Sequence, residues 1–179
     1  MVTAQDLFDA YLNALAEGGQ AACADYNARD AWTCRASLAL VKVGRVAFPE
    51  SEAASKPHHD KFGRAEYLAL DVMLYKVGWK PPLFIAEHEN VADEDRIGYA
   101  AWKLLVVEAG RRMLVAYFGT KGVESFDRLK EIVNEVCVEN PGKDILLVGA
   151  DCNAKPLAVG DLRAIHKTAI VGVPLAGNR

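Results

Sequence analysis

Three carboxylates and one lysine stand out by residue type and spacing. Glu87 and Glu89 close the apolar run Leu83-Phe84-Ile85-Ala86, Asp71 lies in an earlier apolar run, and Lys103 follows in a stretch almost free of charge. In an extended segment side chains alternate, so Glu87 and Glu89 share one face and His88 takes the other. Charges at the end of a core strand are costly unless something positive sits beside them. Three carboxylates brought together would raise one another's pKa values unless a hard cation neutralised them, and oxygen ligands suit Mg²⁺ or Mn²⁺ and not zinc. Lys103 either snorkels to solvent or meets an anion, which could be the carboxylate cluster or a substrate phosphate.

These residues need elements to hold them. Ala4 to Glu17 has apolar residues at helical spacing and a Gly18-Gly19 stop, and a second helix is expected from about Asp30 to Gly44. Val41 to Phe48 alternates well enough to be a strand instead. Pro49 to Lys61 has the composition of a loop. Arg64 to Val77 reads as extended, and Leu83 to Glu89 is the next strand after a short connection through Pro81-Pro82, which favours an antiparallel pair. Asp93 to Arg112 reads as a helix with acids in its first turn and Arg111 and Arg112 in its last, an order that suits the dipole. From Tyr99 to Gly110 that helix carries only Lys103 and Glu108 as charges, which predicts burial of most of its circumference. Met113–Phe118 and Ile145–Ala150 read as strands around a helix from Val123 to Val138. The expected fold is α/β, with one mixed sheet and helices on both faces. One domain is the expectation, with a helical region over about 1–48, a core over about 62–150 and an extension over 151–179.

The 179 residues suffice for a core without disulfides or a structural metal. A net charge of -3 means that nucleic-acid contact must come from a local patch. Cys23, Cys34, Cys137 and Cys152 have no paired short spacing, so reduced buried thiols are expected over a zinc ribbon or redox pair. The start has no basic region leading into an apolar stretch, and no run has the length of a membrane helix; a soluble cytoplasmic protein with no membrane partner is the expectation.

Weaker features have ordinary readings. His58, His59 and Asp60 could contact a metal or phosphate, but adjacent histidines in a polar loop are usually solvated. Phe118-Gly119-Thr120-Lys121-Gly122 lacks P-loop spacing and reads as a turn. Arg64, Lys76, Lys80, Arg96, Lys121 and Lys155 would give either a positive cleft rim or a dispersed surface.

The order of an aspartate in one strand, Glu-x-Glu at the end of the next, a helix with a basic residue and a further strand resembles the PD-(D/E)XK, or restriction-endonuclease-like, nuclease superfamily. The likeness covers about Glu66 to Ala150. It implies a three-layer α/β/α core with an added N-terminal helical region. Asp71, Glu87 and Glu89 occupy the positions of the family's aspartate, first acidic residue and terminal lysine. Glu89 departs from the commoner lysine, and Lys103 looks like a relocated one, on the helix where RecB-like members carry a glutamine motif. The implied activity is Mg²⁺- or Mn²⁺-dependent phosphodiester hydrolysis, with DNA foremost as the nucleic-acid partner and a homodimer left open. In it Asp71, Glu87 and the His88 backbone carbonyl hold the metal. Glu89 orients or deprotonates water or binds a second metal, and Lys103 stabilises phosphate charge. The competing expectation is a non-catalytic member of the fold that binds nucleic acid or a protein partner, favoured by the Glu89 departure. A different metal-assisted hydrolase or a small regulatory domain ranks third.

Overall fold

The computed structural model describes residues 2–26, 28–55, 70–76 and 81–172. Helix α1 (Ala4–Ala16) starts at a capping box in which Thr3 and Asp6 satisfy each other's amides, and buries Leu7, Phe8, Tyr11, Leu12 and Leu15. Gly18 and Gly19, both at positive φ (91° and 62°), turn the chain into α2 (Gln20–Tyr26), a helix the sequence reading had not assigned. Its segment QAACADY buries only Ala22 and Cys23 and so shows no large apolar stripe. α3 (Arg29–Ala47) runs on through the stretch that could have been a strand. Leu40 and Val43 point into the core at helical spacing, and a Cβ at Gly44 would lie within 3 Å of Leu74 and Phe84 side-chain atoms. That glycine lets the helix lie close against the two strands that carry the site.

β1 (Glu52–Ser55) falls where a loop was expected. It has weak intrinsic strand preference and is specified by pairing, from Glu52 opposite Tyr75 to Ser55 opposite Val72. Next come β2 (Val72–Tyr75), β3 (Phe84–His88), α4 (Glu94–Val106), β4 (Arg111–Phe118), α5 (Phe126–Val138), β5 (Asp144–Asp151), α6 (Val159–Ile165) and β6 (His166–Gly172). The six strands lie in chain order, β1-β2-β3-β4-β5-β6. β1, β2 and β3 are antiparallel neighbours, β3, β4 and β5 are parallel, and β6 returns antiparallel. The sheet is therefore mixed, as expected, and the segment after Asp151 contributes its last strand.

Each face of the sheet has its own core. α1, α3 and Leu162 of α6 pack with Val72, Leu74, Phe84, Ala86, Val115 and Val148 on one side. α4 and α5 pack with Met73, Ile85, Leu114, Ala116 and Leu147 on the other. The result is an α/β/α arrangement of three layers.

α4 ends earlier than its sequence suggests. Asp93 caps it by accepting from the Arg96 amide, but Arg111 and Arg112 begin β4 and are not in the last helical turn. Arg112 still serves the helix end, donating to the carbonyls of Leu104 (2.8 Å) and Val107 (3.1 Å) from the strand. Nor is the helix buried over most of its circumference: Tyr99, Trp102 and Val106 stand in solvent.

Candidate active site

The site lies where β2 begins and β3 ends. The β2/β3 register pairs Met73 with Ile85 and Val72 with Ala86, and Asp71, the residue before β2, lies near enough to Glu87 for its charge to act on that carboxyl. Met73 and Ile85 face α4 and α5. Glu87, two positions on in β3, turns to the same side, and Asp71 lies in the bend just before β2.

Asp71 Oδ2 accepts a hydrogen bond from the His88 amide at 2.8 Å, so this side chain continues the ladder beyond the start of β2. The N–H and C=O of one strand residue point to the same edge, which directs the His88 carbonyl toward Asp71 as well. Glu87 is 4% exposed. Its Oε2 accepts from Lys103 Nζ at 2.7 Å, and its Oε1 is buried with no hydrogen-bond partner among the described residues. Burial first, and then the charge of Asp71, push the Glu87 carboxyl up to about 8, with Lys103 and the Asp71 backbone amide pulling the other way. At neutral pH this carboxyl therefore holds its proton in most molecules. Lys103 sits in the last turn of α4, where the helix dipole favours a cation, and its Nζ is 5.4 Å from the centre of the Tyr99 ring.

Glu89 behaves differently. Its amide still bonds the Val115 carbonyl (2.9 Å), but β3 has ended, and the side-chain Oε1 accepts from the Val91 amide at 2.9 Å in the turn toward α4. The structure thus brings Asp71, Glu87 and Lys103 together and engages the Glu89 carboxylate in a local turn. Among the described residues no three His, Cys, Asp or Glu side chains gather to hold a metal.

On the opposite face His88 is buried, with Nε2 2.9 Å from Tyr117 Oη, and Trp32 Nε1 donates to the same hydroxyl. An indole N–H only donates, so the Tyr117 proton is directed to His88 Nε2. Burial holds the Tyr117 phenol well above its ordinary range. This chain anchors His88 from beneath the sheet while Asp71 holds its amide at the edge. Sequence reading missed it, because Trp32 and Tyr117 read individually as core aromatics; the one signal was His88 falling on the inward phase of a buried strand.

Comparison with protein families, characterised proteins and solved structures finds no match to this chain.

Asn90, just past the end of β3, is engaged elsewhere, and the remaining sequence candidates among the described residues lie on other elements. Asn90 Nδ2 donates to Thr33 Oγ1 at 2.8 Å, linking the end of β3 to α3. Residues 118–122 form a turn with Gly119 and Gly122 at positive φ, closed by Gly119 N–H donating to the Val123 carbonyl. Lys76, Arg96, Lys121 and Lys155 are exposed on separate elements. His58, His59, Asp60, Arg64 and Lys80 lie outside the described residues. The four cysteines are unbridged, with Cys23 and Cys137 buried, Cys152 half-buried and Cys34 exposed. Among the described residues no helix is long and apolar enough to cross a membrane.

Proposed function

We propose that this chain is a Mg²⁺- or Mn²⁺-dependent nuclease of the PD-(D/E)XK type, hydrolysing phosphodiester bonds with DNA as its first substrate class. The observation that carries the reading is the buried Glu87 carboxyl beside Asp71, whose own carboxyl accepts from the His88 amide. Asp71, Glu87 and the His88 backbone carbonyl would offer the all-oxygen ligands that hard dications take. The element order supports it too: an antiparallel pair carrying the acids, then α4 with the lysine, then the parallel strand β4.

Asp71, Glu87 and the His88 carbonyl are the residues that would hold the cation. When bound, the ion polarises a phosphoryl oxygen and makes hydroxide available near neutral pH. Glu87 would hold the cation as its carboxylate, its proton passing to solvent. Lys103 is held close to the acids by α4 and offers its ammonium to charge developing on phosphate oxygens. Glu89, whose Oε1 accepts from the Val91 amide in the turn after β3, stays outside the ligand set in this reading.

The test is cleavage of single- and double-stranded DNA with Mn²⁺, comparing the wild type with Asp71→Ala. Loss of activity by a factor of about 10² or more in the variant is expected, since it removes a metal ligand and not a contact to one substrate end. Equal, metal-independent behaviour of both proteins refutes the reading.

A second reading is a non-catalytic module on the same scaffold. It is favoured by Lys103 already serving Glu87 Oε2 and by the Glu89 carboxylate being engaged in its turn. It requires that Mn²⁺ fail to bind, which isothermal calorimetry decides.

A further inference from the structure

We propose that a single buried water molecule, held between Tyr11 Oη and His166 Nε2, ties helix α1 to strand β6 inside the core on the side of the sheet away from Glu87. The proposal is independent of the nuclease reading.

Tyr11 is 0% and His166 5% exposed, and Oη of the one and Nε2 of the other have no hydrogen-bond partner among the described residues. Both atoms belong to rings in edge contact, with centroids 6.0 Å apart and planes at 73°. A buried polar atom left unpaired is costly, and two on touching rings point to one shared partner.

The protons decide which partner fits. His166 Nδ1 lies 2.6 Å from the Leu162 carbonyl, which can only accept, so Nδ1 carries the hydrogen. Burial keeps the ring neutral near pH 7, which leaves Nε2 a bare lone pair. Burial also keeps the Tyr11 phenol protonated, so Oη brings a hydrogen. The pair therefore offers one donor and one acceptor. Water accepts from the first and donates to the second, whereas an anion would satisfy Tyr11 and be repelled by the His166 lone pair.

The sheet leaves room for it. Tyr117 of β4, Ala150 of β5 and His166 of β6 stand in one register row. Neighbouring strands are about 4.8 Å apart, so roughly 10 Å of sheet separates the two polar rings, with only a methyl group between them. Tyr11 packs over this face from α1, near enough to Tyr117 for the two hydroxyls to act on each other electrostatically. After accepting from Trp32 and donating to His88, the Tyr117 oxygen keeps one lone pair, which serves the second hydrogen of the water. All four residues of this row and its cover are buried, which suits water over a larger solute.

A crystal structure of the full chain, at a resolution that shows ordered water, should place one within about 3.2 Å of both atoms. Tyr11 Oη bonded directly to His166 Nε2, or no water between them, overturns the proposal. Urea unfolding at pH 7 gives a second readout. Tyr11→Phe should lower the folding equilibrium constant about tenfold in the wild type, and by no more than about twofold in the His166→Phe background, where the acceptor is already gone. An equal loss in both backgrounds also overturns the proposal. The crystallographic readout uses the wild type and stands whether or not the variants fold.

Discussion

The carboxyl of Glu87 makes stability and metal affinity depend on pH in a direction that can be stated in advance. Its folded pKa of about 8 stands above the ordinary 4.5, so the folded protein binds a proton that the unfolded chain releases. Stability from this group is full below about pH 4.5 and is lost as pH rises through about 8. At roughly 1.4 kcal/mol per pH unit the interval amounts to about 5 kcal/mol, an upper figure because the buried site can relax or admit water. Glu87→Gln keeps the shape and an acceptor for Lys103 but cannot ionise. Urea unfolding at a series of pH values should show the wild type losing stability between pH 5 and 8 while Glu87→Gln does not. A dication works in the opposite sense, because it favours the ionised carboxyl. Mn²⁺ affinity should therefore rise by up to about tenfold per pH unit below pH 8 and level off above it, with close to one proton released per ion at pH 7. Calorimetry in buffers of different ionisation enthalpy counts that proton. If Glu87→Gln and the wild type share one pH profile of stability, or Mn²⁺ binds with no proton release, the account of this carboxyl is wrong.

Two further outcomes follow from the buried polar groups. Tyr117→Phe removes the hydroxyl that Trp32 and His88 share, stranding a donor and an acceptor in the core; it should cost about 1–3 kcal/mol by denaturant titration, and a cost below about 0.5 would mean that the chain does not anchor His88. His166, buried against Tyr11, donates through Nδ1 to the Leu162 carbonyl at 2.6 Å, and burial depresses its pKa to about 4. Its folded value lies below the ordinary 6.5, so its contribution is present above about pH 6.5 and lost as pH falls toward 4. His166→Phe should flatten stability over that window, and an NMR titration of the wild-type ring near pH 6.5 would contradict it.

Much of this site was legible because it obeys strand periodicity. Glu87 and His88 point to opposite faces as alternation requires, and Asp71 falls in the bend just before the neighbouring antiparallel strand. Lys103 could be singled out because it is a charge inside an apolar helical stretch. Glu89 shows where periodicity runs out: the strand ends one residue earlier, and the side chain follows the bond to Val91 and not the pleat. β1 was invisible because Glu-Ala-Ala-Ser carries no strand signal of its own; partners far along the chain supply it. α4 misled in both directions. Its continuation to Arg112 looked right because Arg112 does serve the helix carbonyls, though from a strand, and its apolar composition suggested burial where two aromatics face water. Composition reports how much apolar surface a helix has, not whether the fold covers it.

On the proposed reading, the charge balance of the site explains how a lysine at position 103 can do the work of one at position 89. With Glu87 protonated, the Asp71 carboxylate and the Lys103 ammonium balance, and the resting site carries no net charge to draw counterions from water. Exchanging that one proton for a divalent cation leaves an excess of one positive charge, which a single phosphodiester anion matches. The excess exists only because the Glu89 carboxylate is turned to the Val91 amide; placed among the other two acids it would cancel the attraction for phosphate. The departure at Glu89 and the position of Lys103 are then one arrangement: the turn after β3 removes a negative charge from the metal's surroundings, and α4 supplies the positive charge at 2.7 Å from Glu87.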